Sequence, residues 1–276
     1  SWDTVIEELN TAEEWFERVW SPVGHLNAVR NEPALREAYL AAQPKIVALS
    51  LKLGQSKEIY EKLLSIKKGG DWDSLDEGQK RAIDQRLIGA ELSGIALEGE
   101  KRERFNKLSE ELSQLATKFN NNVLDSTKAF KLVLKEKAEV EGLTDSIKEM
   151  LAHSYARENA PAKPDPANGP WLLTLDAPVY VAFMQFGANR ALRERLYRAF
   201  VSRASSGDRD NTPLMSRILE LRKEKASLLG YKSYAEVSLA TKMARDPEEV
   251  NALLEELLKA SYEPAKKELA ELSDFA

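Results

Sequence analysis

Cysteine is absent from this 276-residue sequence, and only two histidines occur, His25 and His153. Without cysteine the chain has neither disulfides nor thiolate metal ligands, which is compatible with a reducing compartment. The two histidines lie far apart, and neither belongs to a His-x-x-x-His or His-Glu pattern. Zinc bound by this chain alone would need an unusual, carboxylate-rich ligand set. The composition therefore disfavours a metal site of its own.

Glycine, proline and long apolar runs are also scarce. The 13 glycines and 11 prolines are too few for extensive disorder. No run of about 18 apolar residues is present, so no transmembrane helix is expected. No charged-then-apolar leader precedes Trp2. The chain starts within a helical pattern, however, so the sequence does not decide whether a targeting segment has been removed.

No basic block is present either. The 40 Lys and Arg residues are balanced by 45 Asp and Glu residues, which gives a formal charge of −5 spread along the chain. This balance argues against nucleic acid or an anionic membrane as the main partner. Length and composition predict a soluble globular protein with one large or two modest domains.

Apolar residues at helical spacing fill most of the chain. A first helix over 2–20 carries Trp2, Trp15 and Trp20 on one stripe, which favours a packing seam over an aromatic ligand box. Ser74 and Glu77 form the pattern of a capping box for a helix that runs to about Gly94.

A long helix from about Glu100 to Leu124 contains three consecutive asparagines, 120–122. Asparagine is a poor helix former, so a frayed helix end is favoured at this point. The alternative is an intact helix in which the asparagines make polar contacts inside the structure.

In two short segments the spacing of apolar residues is typical of a strand instead of a helix. Residues 130–134 and 171–175 alternate or are rich in apolar residues, and because each is too short to be stable alone, we expect them to pair. A helix is predicted between them over 144–157, and Asn159–Pro170, with four prolines in twelve residues, is predicted to be an exposed loop. The predicted fold class is mainly α, a multi-helix protein with one two-stranded β element.

An arginine-rich helix follows the second strand. Salt bridges with acidic helices are favoured over phosphate binding for these arginines, which are Arg190, Arg193, Arg195, Arg198 and Arg203.

The segment Thr212–Ala244 predicts a helical hairpin. Thr212-Pro213 begins a helix, Gly230 ends it, and Ser233 opens the next helix. Two cations, Arg222 and Lys225, fall within the apolar arc of the first helix. They either meet carboxylates, within this chain or across an interface, or snorkel to solvent along apolar neighbours, and the sequence favours neither.

Seven segments in the same order resemble the oligopeptidase A / thimet oligopeptidase family of zinc metallopeptidases, as found in bacteria and in plant organelles and cytosol. They are SPVGHLNAVRN (21–31), LKLGQS (51–56), ELSGIAL (91–97), NNVLDSTKAF (121–130), WLLTLDAPVY (171–180), NRALRERLYRAFVSRAS (189–205) and LRKEKASLLGYKSYAEVSLATKMA (221–244). Each is weak alone, but together they span almost the whole chain.

The resemblance implies a mostly helical, two-lobed peptidase whose zinc is held by a His-Glu-x-x-His helix and a downstream glutamate. This motif is absent from Ser1 to Ala276. We therefore expect 1–276 to be the helical N-terminal, channel-wall region, with sub-units 1–126 and 127–276 and without the catalytic zinc domain. On this hypothesis the chain alone is inactive, contains no catalytic or metal-binding residue and needs no cofactor, and its substrate-binding residues are unassigned.

The partners implied by the resemblance are short peptides and the catalytic C-terminal half, and self-association of this chain is expected. The expected location is the cytoplasm, or an organelle matrix if a transit peptide is removed. The alternative function, equally compatible with composition and periodicity, is a non-catalytic helical module that binds peptides or proteins.

Overall fold

The computed structural model describes all residues, 1–276, and confirms the predicted fold class, with eleven α-helices and one small antiparallel sheet. None of the helices combines the length and apolarity needed to cross a bilayer. The helices are α1 (Glu8–Val29), α2 (Pro33–Gly54), α3 (Lys57–Lys68), α4 (Glu77–Leu92), α5 (Gly99–Ala129), α6 (Asp145–Glu158), α7 (Ala177–Phe186), α8 (Arg190–Val201), α9 (Thr212–Leu228), α10 (Tyr234–Leu239) and α11 (Pro247–Phe275).

The chain forms two compact units. The first contains 1–113 and 219–276, and the second contains 114–218. The predicted sub-units 1–126 and 127–276 are each one continuous segment. The first compact unit, in contrast, combines residues from both ends of the chain. As a division into domains, the sub-units stay a prediction.

The sheet lies in the second unit and confirms the predicted pairing. Strands β1 (Lys131–Leu134) and β2 (Trp171–Thr174) are antiparallel, with Leu134 opposite Trp171 and Lys131 opposite Thr174. One face of the sheet packs with α6, α7 and α8 around a fully buried core. The largest members of this core, none of them accessible to solvent, are Leu134, Leu151, Trp171, Leu173, Phe183 and Leu196.

The predicted tryptophan seam forms only in part. Trp2 packs against a buried cluster of the first unit made by Ile6, α3 and α4. The Trp20 ring stacks on Tyr39 at a centroid distance of 5.0 Å. Trp15, however, is 67% exposed, with the Arg18 guanidinium over its ring. The prediction of a common packing seam is therefore wrong for Trp15, because α1 is covered on a narrower arc than the apolar spacing indicates.

Helix α4 begins at a different cap from the predicted one. Asp76, not Ser74, is the N-cap: its Oδ1 accepts the Gln79 N–H at 2.8 Å, and the Gln79 Oε1 accepts the Asp76 N–H at 3.0 Å. Ser74 instead closes a preceding 3₁₀ turn by donating to the Asp71 carbonyl. An aspartate with glutamine three residues later caps the first turn of a helix by the same reciprocal pattern as the predicted pair, two residues further along the chain.

Helix α5 continues through the three asparagines to Ala129, so the favoured prediction of a frayed end is wrong. The Asn122 side chain donates to the Asn211 Oδ1 at 2.8 Å, and the Asn211 side chain donates to the Phe119 carbonyl at 3.1 Å. Asn211 is almost completely buried. Its hydrogen bonds replace those with water, which offsets the low helix propensity of asparagine.

Candidate functional site

The predicted turn between α9 and α10 is present. Gly230 has φ +82°, and the N–H groups of Gly230 and Tyr231 donate to the carbonyls of Ser227 and Ala226 at 3.1 and 2.9 Å. The Ser233 hydroxyl then accepts the Glu236 N–H at 3.3 Å. The glycine closes α9 and the serine opens α10, as the sequence predicts.

Neither cation of the apolar arc has a carboxylate oxygen within 4 Å. The exposed Arg222 guanidinium lies 4.9 Å from the ring centroid of Tyr234. The Lys225 Nζ lies 5.1 Å from the ring centroid of Phe105, and burial lowers the pKa of Lys225. The expectation of a carboxylate partner within this chain is wrong for both, since aromatic faces take that place.

The carboxylate of Glu224, which precedes Lys225 in the sequence, pairs with Arg104. Glu224 accepts two hydrogen bonds from Arg104, Nε to Oε1 at 2.6 Å and Nη2 to Oε2 at 2.5 Å. This bidentate pair joins α5 to α9 within the first unit, next to the contact between Lys225 and Phe105. Sequence periodicity could not assign these partners, because they are 120 residues apart.

The histidines do not form a metal centre. His25 is exposed, and the exposed His153 Nε2 lies 3.8 Å from the Glu149 Oε1, one turn earlier in α6. Nowhere do three His, Cys, Asp or Glu side chains converge in a way that could hold a metal ion. The zinc implied by the family resemblance therefore does not fit the residues of this chain.

The arginines of the α8 region do not pair with other acidic helices as predicted. Arg198 pairs with Glu194 of the same helix, with its Nη2 2.8 Å from the Oε1. Arg193 donates to the carbonyls of Gly187 and Ala188. Arg203 stacks on Phe200 and donates to Thr127. None of these three arginines thus pairs with a carboxylate of another helix: Arg198 and Arg193 have partners nearby in the sequence, and Arg203 reaches Thr127 of α5.

An apolar cleft of about 700 Å³ opens between α1, α2, α3 and α4 of the first unit. Volumes of about 300–1,000 Å³ with mainly apolar walls and a few polar groups are typical of small-ligand sites. Gly89 lies in its wall, where an added Cβ would meet no neighbouring atom within 4 Å. The apolar side chains around it are Leu9, Phe16, Leu49, Leu53, Ile59 and Leu63. The sequence did not predict this cleft, because four separate helices form it.

The rim of the cleft carries three charged groups. Arg86 donates to both carboxylate oxygens of Glu13 at 2.9 and 2.7 Å and to the Asn10 Oδ1 at 2.8 Å. The hydrogen bond to Glu13 is the main cause that raises the pKa of Arg86. Glu17, one turn along α1, makes no hydrogen bond or ion pair. The rim therefore has one uncompensated negative charge.

Comparison with protein families confirms the resemblance. Residues 1–102 match the N-terminal domain of neurolysin and thimet oligopeptidase, and residues 183–276 match peptidase family M3. The whole chain is 48% identical to the probable cytosolic oligopeptidase A of Arabidopsis thaliana and 47% identical to its organellar, chloroplastic/mitochondrial oligopeptidase A, covering 39% and 35% of those proteins.

Bacterial relatives give the same result. The chain is 38% identical to oligopeptidase A of Escherichia coli and covers 40% of it. It thus spans well under half the length of the curated relatives it matches. The chain belongs to the M3 family of oligopeptidases and corresponds to their N-terminal region.

Proposed function

We propose that the parent protein is a zinc metalloendopeptidase that hydrolyses short peptides, and that 1–276 is its helical N-terminal region, forming a wall of the substrate channel. The observation that carries this proposal is the identity to proteins named oligopeptidase A over the entire chain. Zinc would be bound outside this chain, because its own residues offer no metal site.

The chain alone is inactive on this proposal. The test compares the purified 276-residue chain with the longer parent, using a short fluorogenic peptide with zinc or with a chelator. We expect chelator-sensitive cleavage and bound zinc only for the parent. Zinc-dependent cleavage by the 276-residue chain would contradict the proposal, as would a parent reading frame without His-Glu-x-x-His.

The proposed partner within the parent is its catalytic half, and the proposed contact surface includes α11. No residue of α11 is buried, although the helix carries an apolar stripe along its length. The exposed members of the stripe are Leu253, Leu254, Leu257, Leu258, Tyr262, Leu269 and Leu272. Contiguous exposed apolar surface is typical of interaction sites. In the isolated chain the same stripe would drive self-association.

For the division into domains, we propose that α5 connects a helical sub-unit, 1–126, to a sub-unit containing the sheet, 127–276. Limited proteolysis tests this division: two protected fragments that meet near 126 would support it, and a protected fragment pair that combines 1–113 with 219–276 would contradict it. For location, we propose the cytoplasm or an organelle matrix, since the plant relatives are named cytosolic and organellar. Imaging of the tagged full-length parent distinguishes these compartments.

A further inference from the structure

The apolar cleft between α1, α2, α3 and α4 has no role in the proposed peptide hydrolysis. Its shape and charge nevertheless indicate which kind of ligand fits it. Its walls are contributed by four helices, and the half-buried Phe16 lies at one side. The Phe16 ring is 6.5 Å from that of Trp20, which continues into the stack with Tyr39. An aromatic or branched aliphatic group fits such a surface.

The charges at the rim select a cation. Both terminal nitrogens of Arg86 are already occupied by Glu13 and Asn10, so this guanidinium is a poor partner for an anionic ligand. The Glu17 carboxylate is exposed and makes no ion pair. An ammonium group next to the apolar part of the ligand would therefore be attracted to the rim at Glu17.

We propose that this cleft binds the N-terminal residue of a peptide: a large apolar side chain enters between Phe16, Leu53 and Gly89, and the α-amino group pairs with Glu17. The choice of a peptide rests on the proposed function, since the relatives are oligopeptidases.

Gly89 provides a direct way to fill the cleft. It lies within α4, and a Cβ at this position points into open space. Leucine is a better helix former than glycine, so Gly89→Leu fills the cleft without weakening the helix. Gly24→Leu is the matched control, since Gly24 is also helical, has no atom within 4 Å of an added Cβ and does not line the cleft.

The experiment titrates the 276-residue chain with L-phenylalaninamide, a cation with an aromatic side chain, and measures binding by NMR chemical shifts. We expect saturable binding at one site that Gly89→Leu abolishes and Gly24→Leu preserves. Glu17→Gln should weaken binding about two- to fivefold, as expected for an exposed ion pair. Glu14→Gln should not, because Glu14 lies outside the cleft and pairs with Arg18.

Ligand variants make the same distinction. N-acetyl-L-phenylalaninamide, which lacks the ammonium group, should lose about as much affinity as Glu17→Gln causes, with no further loss in that variant. Absence of saturable binding, equal binding by Gly89→Leu, or equal binding of the acetylated probe would each overturn the proposal. The titration is repeated on the parent protein, where loss of binding would show that the cleft is covered and would also overturn it.

Failure of this inference and failure of the proposed function are distinguishable. If the parent cleaves peptides but the probe does not bind in the cleft, only the inference fails. If the probe binds but the parent has no peptidase activity, the assignment of a peptide fails together with the proposed function. With both intact, Gly89→Leu in the parent should raise KM for peptides that begin with phenylalanine and leave kcat unchanged.

Discussion

The sheet region and helix α11 contain similarly large apolar side chains in opposite environments. Around the sheet, Leu173, Phe183 and Leu196 are fully buried. Along α11, Leu254 and Leu257 remain 56% and 54% exposed, and no residue of the helix is buried. Apolar periodicity thus identifies which face of a helix tends to be buried, but it does not show whether residues of this chain bury it.

The exposed stripe has an energetic consequence. Burial of a leucine side chain contributes about 1.5–3 kcal/mol, so a leucine that stays half exposed forgoes about 1 kcal/mol. Several such residues on one helix favour a covering surface by a few kcal/mol in total. The sheet region is therefore expected to be stable by itself, whereas α11 is expected to need a covering surface.

The largest effect is expected in the buried core of the second unit. Phe183→Ala removes a fully buried ring and should lower the free energy of unfolding by about 3–5 kcal/mol, measured by urea denaturation. Leu257→Ala in α11 is the contrasting variant and should cost no more than about 0.5 kcal/mol. Comparable losses from both would show that the two regions do not differ as described.

A smaller loss is expected at the asparagine network. Asn211→Ala removes the acceptor of the Asn122 amide and the additional donor to the Phe119 carbonyl, which should cost about 2 kcal/mol. Asn120→Ala, at an exposed position of the same helix, should be neutral or slightly stabilising, because alanine is the better helix former. Equal effects in thermal unfolding would rule out the role of the buried network.

Self-association should depend on α11. The double variant Leu254→Ser, Leu258→Ser removes two apolar groups from the stripe and should weaken self-association at least about tenfold, equivalent to about 1.4 kcal/mol. Sedimentation equilibrium provides the dissociation constants. A wild-type chain that stays monomeric at high concentration would contradict this prediction.

The smallest change in the free energy of unfolding is expected for replacement of Lys225, and it should be a stabilisation instead of a loss. Burial places the folded-state pKa of Lys225 below its ordinary value of 10.5. The unfolded chain therefore binds more protons between these two pKa values, and stability rises with pH across that window. Lys225→Met should stabilise the chain by about 1 kcal/mol near neutral pH and remove this contribution to the alkaline rise.

Lys223→Met is the matched control for Lys225→Met. Lys223 is exposed on the same helix, so its replacement should leave the pH dependence of unfolding unchanged. If Lys225→Met destabilised the chain, the contact with Phe105 would outweigh the desolvation of the ammonium group.

Local patterns predicted local structure well. The two strands, the Gly230 turn, the Ser233 cap and the family follow from short segments whose signals do not depend on distant residues. The predicted cap of α4 lies two residues before the observed one, because Ser74 and Asp76 both begin acceptable capping patterns. Only the formation of the preceding 3₁₀ turn distinguishes them.

Features that depend on distant partners could not be predicted. The asparagines persist in α5 because Asn211, 89 residues after Asn122, accepts a hydrogen bond from it. Lys225 meets the ring of Phe105, and Glu224 pairs with Arg104, each about 120 residues earlier in the chain. The cleft results from the spacing of four helices, and no single helix carries its signal.

Hydrogen exchange along α11 tests the central claim most directly. The measurement compares the amides of 253–258 in the 276-residue chain and in the longer parent, with the amides of 171–174 as an internal reference. We predict that protection in α11 rises at least about 100-fold in the parent, equivalent to about 2.7 kcal/mol, while that of the strand is unchanged. Equal protection of α11 in both proteins would contradict the account.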